Sequence, residues 1–293
     1  MSLLLCSSKL PTLQRILTQC YPESLKVCGA LHNIINGNPF KLQVLVDQWP
    51  NITSVVCRPR LEDMMDPTDQ YTNTYFLFSK DQQSLSEMLQ DPQTINWSHQ
   101  FQIQGCQSDL GEVLHEASAK HKNSITTTNY LLYMKESIQS HEETDQLSKL
   151  RQNKLQISSL SFNEASVVNA NWKYGGNKHS LHYVQRCIQN VPTVCAREKD
   201  GGLPVSWTLC DPTSAFGMGY TLPAYRNRGI IFPIIVAMAT INYKRGTPIF
   251  CEISPENKIS HKALLRTGFK QQSISCMWEF SPFKAKQRGL LAA

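Results

Sequence analysis

Apolar positions in this chain recur with two periods, and the switches between them mark out the elements. Leu155-Gln-Ile-Ser-Ser-Leu160 reads as a short strand, and Asn163 to Trp172 as a helix with Asn163 as its cap. Leu181, Val184, Cys187 and Ile188 return at helical spacing. Val191 to Arg197 is a strand that Gly201-Gly202 turns into a second, Pro204 to Cys210, and Asp211-Pro212-Thr213 turns that into a third, Gly217 to Leu222. A helix over Ile230 to Lys244 follows, with Pro233 tolerated in its first turn. Pro248 to Ser254 is a strand, Lys258 to Thr267 a helix ended by Gly268, and Phe269 to Phe280 a closing strand. The predicted order is β-α-α-β-β-β-α-β-α-β.

The first half is less regular. Leu10, Leu13, Ile16, Leu17 and Cys20 predict a helix, and Leu110, Val113, Leu114 and Ala117 put one apolar face on a helix over Asp109–Ala119. Strands are expected at Ser54–Arg58, Tyr75–Ser79 and Tyr130–Met134. A length of 293 residues suits two domains, 1–150 and 151–293, divided in the polar stretch from Lys135 to Asn153.

The densest chemistry lies between the Gly217–Leu222 strand and the helix that follows it. The start of a helix offers unpaired N–H groups and the positive end of a dipole, which together form an anion site. Here Arg226-x-x-Gly229 occupies that start, with Arg228 adding charge and Gly229 allowing close backbone approach. The spacing is not that of a dinucleotide fingerprint, and no Gly-Lys-Ser/Thr follows.

This order, with Pro223-x-Tyr225-Arg226-x-x-Gly229-Ile230 and Asn257-x-x-Ser260-x-x-Ala263-Leu264 ending in Gly268-Phe269, resembles the GNAT acyltransferase superfamily. Within it, the whole chain resembles the glycine N-acyltransferase family. That resemblance rests on Gly37-Asn38-Pro39-Phe40, Val46-Asp47-x-Trp49-Pro50, Ser108-Asp109-Leu110-Gly111, Pro204-Val205-Ser206-Trp207-Thr208 and Gly219-Tyr220-Thr221-Leu222-Pro223. It implies a mixed α/β fold: a mostly antiparallel sheet with flanking helices, in two tandem GNAT-like halves, the first degenerate. It also implies transfer of an acyl group from acyl-CoA to the amine of glycine, or of another amino acid such as glutamine, by direct attack without an acyl-enzyme. Tyr220, Thr221 and Leu222 would present backbone groups to the pantetheine arm. Arg226, Asn227, Arg228, Gly229, Ile230 and Ile231 would hold the pyrophosphate, and Asn257 would contact the CoA arm or cap its own helix.

Two departures bear on the chemistry. Ile231 stands where the superfamily usually has Gly or Ala. More consequentially, the family's Leu-Pro-Glu-Tyr-Arg block, whose Glu is taken as general base, reads Leu222-Pro223-Ala224-Tyr225-Arg226. An α-amino group titrates near 8, and general-base help is worth roughly 10²–10⁴-fold. Ala224 supplies none. Glu252, on the strand before the Asn257 motif, is the best positional substitute, although the ordinary reading of such a strand residue is an exposed carboxylate. His261 lies inside the next helix, and Leu264 stands where some members carry a Tyr general acid. Cys251 has no His partner and reads as a buried thiol, and Trp172 and Trp207 read as core. Two functions stay open: a working transferase, or a weak or inactive relative that binds acyl-CoA.

Composition narrows the field. The ten cysteines are scattered with no Cys-x-x-Cys and no Cys/His cluster, which indicates a reducing compartment and no metal site. The longest apolar run, Gly229 to Ile241, is too short to span a bilayer. The net charge of +6 suits CoA and a carboxylate, while the dispersed basic residues argue against nucleic acid. Residues 1–22 lack acids and contain Lys9 and Arg15, compatible with mitochondrial targeting and equally with an ordinary first helix in a cytoplasmic protein. Nothing in the sequence bears on oligomeric state. If the absent base limits the rate, Ala224→Glu is expected to raise turnover in steady-state assays. An unchanged rate in a protein that binds acyl-CoA would show that position 224 is not limiting.

Overall fold

The computed structural model describes residues 2–138, 150, 152, 154–199 and 201–282. Its first half runs β1 (Leu3–Leu4), α1 (Leu10–Thr18), α2 (Leu25–Ile35), β2 (Leu42–Val46), β3 (Ser54–Pro59), β4 (Thr74–Ser79), α3 (Gln82–Gln90), β5 (Phe101–Gly105), α4 (Gly111–Lys120) and β6 (Asn123–Lys135). The second half runs β7 (Leu155–Ser158), α5 (Ala165–Asn171), α6 (Lys178–Asn190), β8 (Thr193–Glu198), β9 (Ser206–Cys210), β10 (Phe216–Thr221), α7 (Ile231–Arg245), β11 (Ile249–Ile253), α8 (Lys258–Arg266) and β12 (Lys270–Pro282). Short 3₁₀ turns aside, the order over residues 3–135 recurs over 155–282.

The fold is mixed α/β with a mostly antiparallel sheet. One sheet orders its strands β1-β2-β3-β4-β5-β12-β6-β11, the other β10-β9-β8-β7, and among the described residues only β4 and β5 pair in parallel. The closing strands cross over between the halves. β12 lies between β5 and β6, with Trp278 opposite Ile103 on one side and Thr127 on the other. β6 in turn pairs with β11, Leu132 opposite Glu252. The polar stretch expected to divide the domains falls largely outside the described residues, at 139–149, 151 and 153.

Strand alternation sorts side chains into two helical layers. From β3 and β4, Val55, Cys57, Phe76 and Phe78 join the core under α1 and α2, while Val56, Tyr75 and Leu77 join the core under α3 and α4. In that second core Phe280 of β12 stacks on Phe101 of β5, ring centroids 4.6 Å apart.

The expected order of the second half is found, with ends shifted by one or two residues. One cap is corrected: Ser161, not Asn163, opens the α5 region. It forms a capping box with Glu164, whose carboxylate accepts from the Ser161 N–H at 2.7 Å. Asn163 lies within the intervening 3₁₀ turn. In the first half β1, α2, β2, α3 and β5 are additional to the expected elements. α2 matters most, because it is buried on nearly every side, including Lys26 and Asn33.

The approach of α2 to the turn after β9 is set by Gly29. A β-carbon there would sit 1.5 Å from the carbonyl oxygen of Thr213. Backbone would have to move to admit one. Gly29→Ala is therefore expected to destabilise the protein by about 3 kcal/mol, the upper part of the overpacking range, despite its gain in helix propensity. A shift of the urea midpoint at unchanged slope measures this, and an unaltered midpoint would show that α2 moves freely.

Candidate active site

A cleft of about 150 Å³ opens where the two sheets part, between β10, which pairs only with β9, and β11, which pairs only with β6. Gly217 and Met218 of β10 form one wall and Glu252 of β11 stands opposite. β10 carries a bulge: the four residues from Gly217 to Tyr220 stand opposite the three from Leu209 to Trp207, and Met218 takes a φ of 51°. A bulge leaves its extra residue out of the ladder, so backbone polar groups here are available to a ligand.

The cleft floor is an ionic cluster assembled from both halves. The Lys26 ammonium of α2, 2% exposed, donates to Glu252 Oε2 at 2.6 Å and to Gln104 Oε1 of β5 at 2.8 Å. It lies 4.0 Å from Asp211 in the turn after β9. Ser275 of β12 donates to the other oxygen of Glu252. Burial works against the charge of Lys26, but the facing carboxylates of Glu252 and Asp211 outweigh it and hold its pKa above the ordinary value. Burial, reinforced by the charge of Glu252, pushes the Asp211 carboxyl up, against the pull of Lys26 and Thr213. Thr213 fixes Asp211 from its N–H at 2.7 Å and its hydroxyl at 2.6 Å.

An aromatic wall faces this floor. Tyr71, Trp172 and Tyr183 pack with centroid separations of 5.5–5.8 Å. Tyr130 and Tyr174 share a hydroxyl–hydroxyl bond of 2.5 Å. Burial, with that bond, pushes the Tyr130 phenol far above its ordinary value. Trp172 is thus corrected from core residue to cleft wall, whereas Trp207 is fully buried. The described lining carries one cation, Lys26, against Asp211, Glu252 and Glu279. Sequence reasoning passed over Lys26, Glu279 and the tyrosines, and read Asp211 only as part of a turn.

Beyond the cleft, β10 runs into the loop before α7. Leu222 N–H donates to the Val205 carbonyl at 2.9 Å, and the Ser206 and Thr221 hydroxyls bond at 2.8 Å. Tyr220 lies under the Arg226 guanidinium, 5.2 Å from its ring centroid. Arg226 Nε donates to the Thr221 carbonyl at 3.0 Å and Arg228 to the Ala224 carbonyl at 2.9 Å, each using one of five guanidinium donors. Asn227 and Gly229 take φ of 60° and 72°. α7 begins at Ile231 behind Ile230, which makes no side-chain cap; Phe232 N–H donates to the Gly229 carbonyl at 3.3 Å, and Pro233 brings no N–H to this first turn. Exposed Arg226, Asn227 and Arg228 surround this end of the helix. The arrangement suits an anion.

The remaining candidates separate from the cleft. Ala224 is exposed in a 3₁₀ turn, Pro223–Tyr225, outside the cleft lining. Asn257 caps α8, accepting from Ser260 N–H at 3.1 Å. His261 Nδ1 bonds the hydroxyl of buried Tyr133. Cys251 is buried, which pushes its thiol well above the ordinary range, with the charge of Glu252 adding to the effect. No group of three or more His, Cys, Asp or Glu suited to a metal ion occurs among the described residues, and no helix among them is long and apolar enough to cross a membrane.

Known proteins resemble this chain along nearly its whole length. The family described as aralkyl acyl-CoA:amino acid N-acyltransferase matches residues 1–192, and its C-terminal region matches residues 198–282. Glycine N-acyltransferase of Bos taurus is 37% identical over 274 residues, 89% of this chain and 92% of that protein. Among solved structures, a Drosophila protein superposes with a TM-score of 0.75 at 16% identity, covering 97% of this chain and 99% of its own. A GCN5-related N-acetyltransferase-like protein of Streptococcus suis gives 0.51 at 12% identity, covering 94% and 99%.

The burial of Cys251 bears on the route of transfer, because an acyl-enzyme needs a reactive nucleophile. Under native conditions a maleimide is expected to modify exposed Cys6 and to spare buried Cys57, Cys187 and Cys251 until denaturant is added. Intact-mass analysis counts the adducts. Fast native labelling of Cys251 would show an accessible thiol and would count against the buried placement.

Proposed function

The chain belongs to the aralkyl acyl-CoA:amino acid N-acyltransferase family, and on that premise we propose that it transfers an acyl group from acyl-CoA to the amine of glycine or another small amino acid such as glutamine. The observation that carries this reading is the Glu252 carboxylate, which stands in the cleft opposite the bulged end of β10. Each of its oxygens accepts one hydrogen bond from the protein and retains a further lone pair.

In this reading the acceptor enters as an ammonium, drawn by Glu252, Asp211 and Glu279. Glu252 takes a proton from its nitrogen, and the freed lone pair attacks the thioester carbon. The carbonyl oxygen becomes an oxyanion within reach of N–H groups at the β10 bulge. Collapse of that oxyanion breaks the C–S bond; the attacking nitrogen, which still carries two protons, gives one to the departing thiolate, so that CoA-SH leaves and a neutral amide remains. The cofactor's phosphates rest on the loop from Arg226 to Ile231, with Tyr220, Thr221 and Leu222 along the pantetheine arm. A cavity of about 150 Å³ is one that takes a single benzene ring, so the cleft suits a ring-sized acyl group or a small acceptor.

Ala224 supports a second reading, an acyl-CoA-binding relative with weak or lost chemistry. One experiment separates the two: mass-spectrometric detection of N-acyl amino acid from purified protein, a panel of acyl-CoAs, glycine and glutamine. Product is expected, at a rate that rises with pH as the amine loses its proton. Glu252→Gln is expected to lower kcat by ~10²–10⁴-fold. Undiminished turnover in that variant would remove Glu252 as the base, and absent product beside measurable acyl-CoA binding would favour the second reading.

A further inference from the structure

The proposed base stands on the second half of the chain, yet the group that holds it comes from the first. Lys26 and Glu252 are 226 residues apart in sequence and 2.6 Å apart in the fold. Lys26 lies on a helix buried on nearly every side, where an ammonium persists only if paired and hydrogen-bonded. Its pairing is uneven. The nearer carboxylate is Glu252, while Asp211 lies at 4.0 Å with its own Oδ1 held by the N–H and hydroxyl of Thr213. Asp211 is therefore fixed by its own turn. Glu252 has no such local anchor; its described partners are Lys26 and Ser275, one on each oxygen.

Lys26 is itself held. Gln104 takes a second of its three donors at 2.8 Å. One turn along α2, Gly29 lies against the Thr213 carbonyl, and Asn33 donates to the Pro212 carbonyl at 2.9 Å and to the Ser214 hydroxyl at 3.2 Å. The ammonium thus has a fixed position, and the carboxylate it binds inherits that position.

We propose that Lys26 is a positioning residue for the transfer: it acts through Glu252, fixing the direction of that carboxylate toward the acceptor amine. The inference rests on the reading of Glu252 as general base. It assigns the first half of the chain a direct part in the site, beyond enclosing the cleft.

The test is a double-mutant cycle in the full-length protein, following N-acylglycine by mass spectrometry, with KM for acyl-CoA and thermal melting recorded for each variant. Lys26→Met is expected to lower kcat by ~10²-fold, the scale of loss from a misplacement of about 1 Å, with KM for acyl-CoA unchanged. In a Glu252→Gln background the same substitution is expected to change kcat by less than about twofold, because the group through which Lys26 acts is already gone. That comparison stands even if Lys26→Met alone fails to fold, since the double variant removes both charges together. A further tenfold loss in the Glu252→Gln background would give Lys26 a role of its own and overturn the proposal. If Glu252→Gln leaves turnover intact, the reading of Glu252 fails and the inference falls with it; if Glu252→Gln is impaired and the cycle is additive, only the role of Lys26 fails.

Discussion

Where α2 crosses the turn after β9, the space a β-carbon would need is filled by the Thr213 carbonyl. Only glycine admits that approach. Lys26, Gly29 and Asn33 lie at spacings of three and four along one face of α2, so seating Gly29 also sets the other two. Asn33 closes the contact through hydrogen bonds to Pro212 and Ser214, and Lys26 delivers a charge to Glu252 and toward Asp211. The cleft floor follows from this one backbone contact between distant parts of the chain.

The exchange of closing strands makes that contact durable. Because β12 runs between β5 and β6, and β6 runs beside β11, Gln104 and Ser275 sit on adjacent strands and Glu252 lies one strand beyond β6 in the same continuous sheet. Separating the halves would leave Lys26 and Glu252 each without its partner. Breaking a buried pair from one side typically costs about 3–5 kcal/mol, so the ionic floor resists separation as well as shaping the site. That sheet ends at β11 and the second sheet begins at β10, and the cleft opens between them.

The second half was largely legible in the sequence because its elements are amphipathic and punctuated. Gly246 and Gly268 take positive φ just past their helices, Asn257 caps α8, and Pro233 falls in a first turn. α2 was not legible, for a physical reason. A helix buried on nearly every side shows no apolar stripe, and Gly29, Lys26 and Asn33 each lower its helical or apolar signal while serving contacts made far along the chain. The site divides the same way. The loop from Arg226 to Gly229 is a local motif, and Glu252 could be named from its place before the Asn257 block. Its surroundings could not: a lone lysine in an apolar run reads as a solvated face, and Trp172 reads as core until Tyr71 and Tyr183 are brought beside it. The strand exchange leaves no local trace, since either strand order satisfies the same alternation of side chains.

The charge of the cleft constrains how an amino-acid acceptor would lie in it. Asp211, Glu252 and Glu279 face an approaching molecule with Lys26, the one cation of the described lining, already bonded to Glu252 and Gln104. Such a lining attracts an ammonium and repels a carboxylate. A glycine bound here would therefore turn its nitrogen toward Glu252 and its carboxylate away from the floor. That orientation presents the nitrogen to the bulged end of β10, where the thioester carbon would have to arrive. It also makes the amine, and not the carboxylate, the part of the acceptor that the floor selects. Discrimination among amino acids would then fall to the aromatic wall of Tyr71, Trp172 and Tyr183, whose packed rings limit the bulk of whatever lies beside the amine.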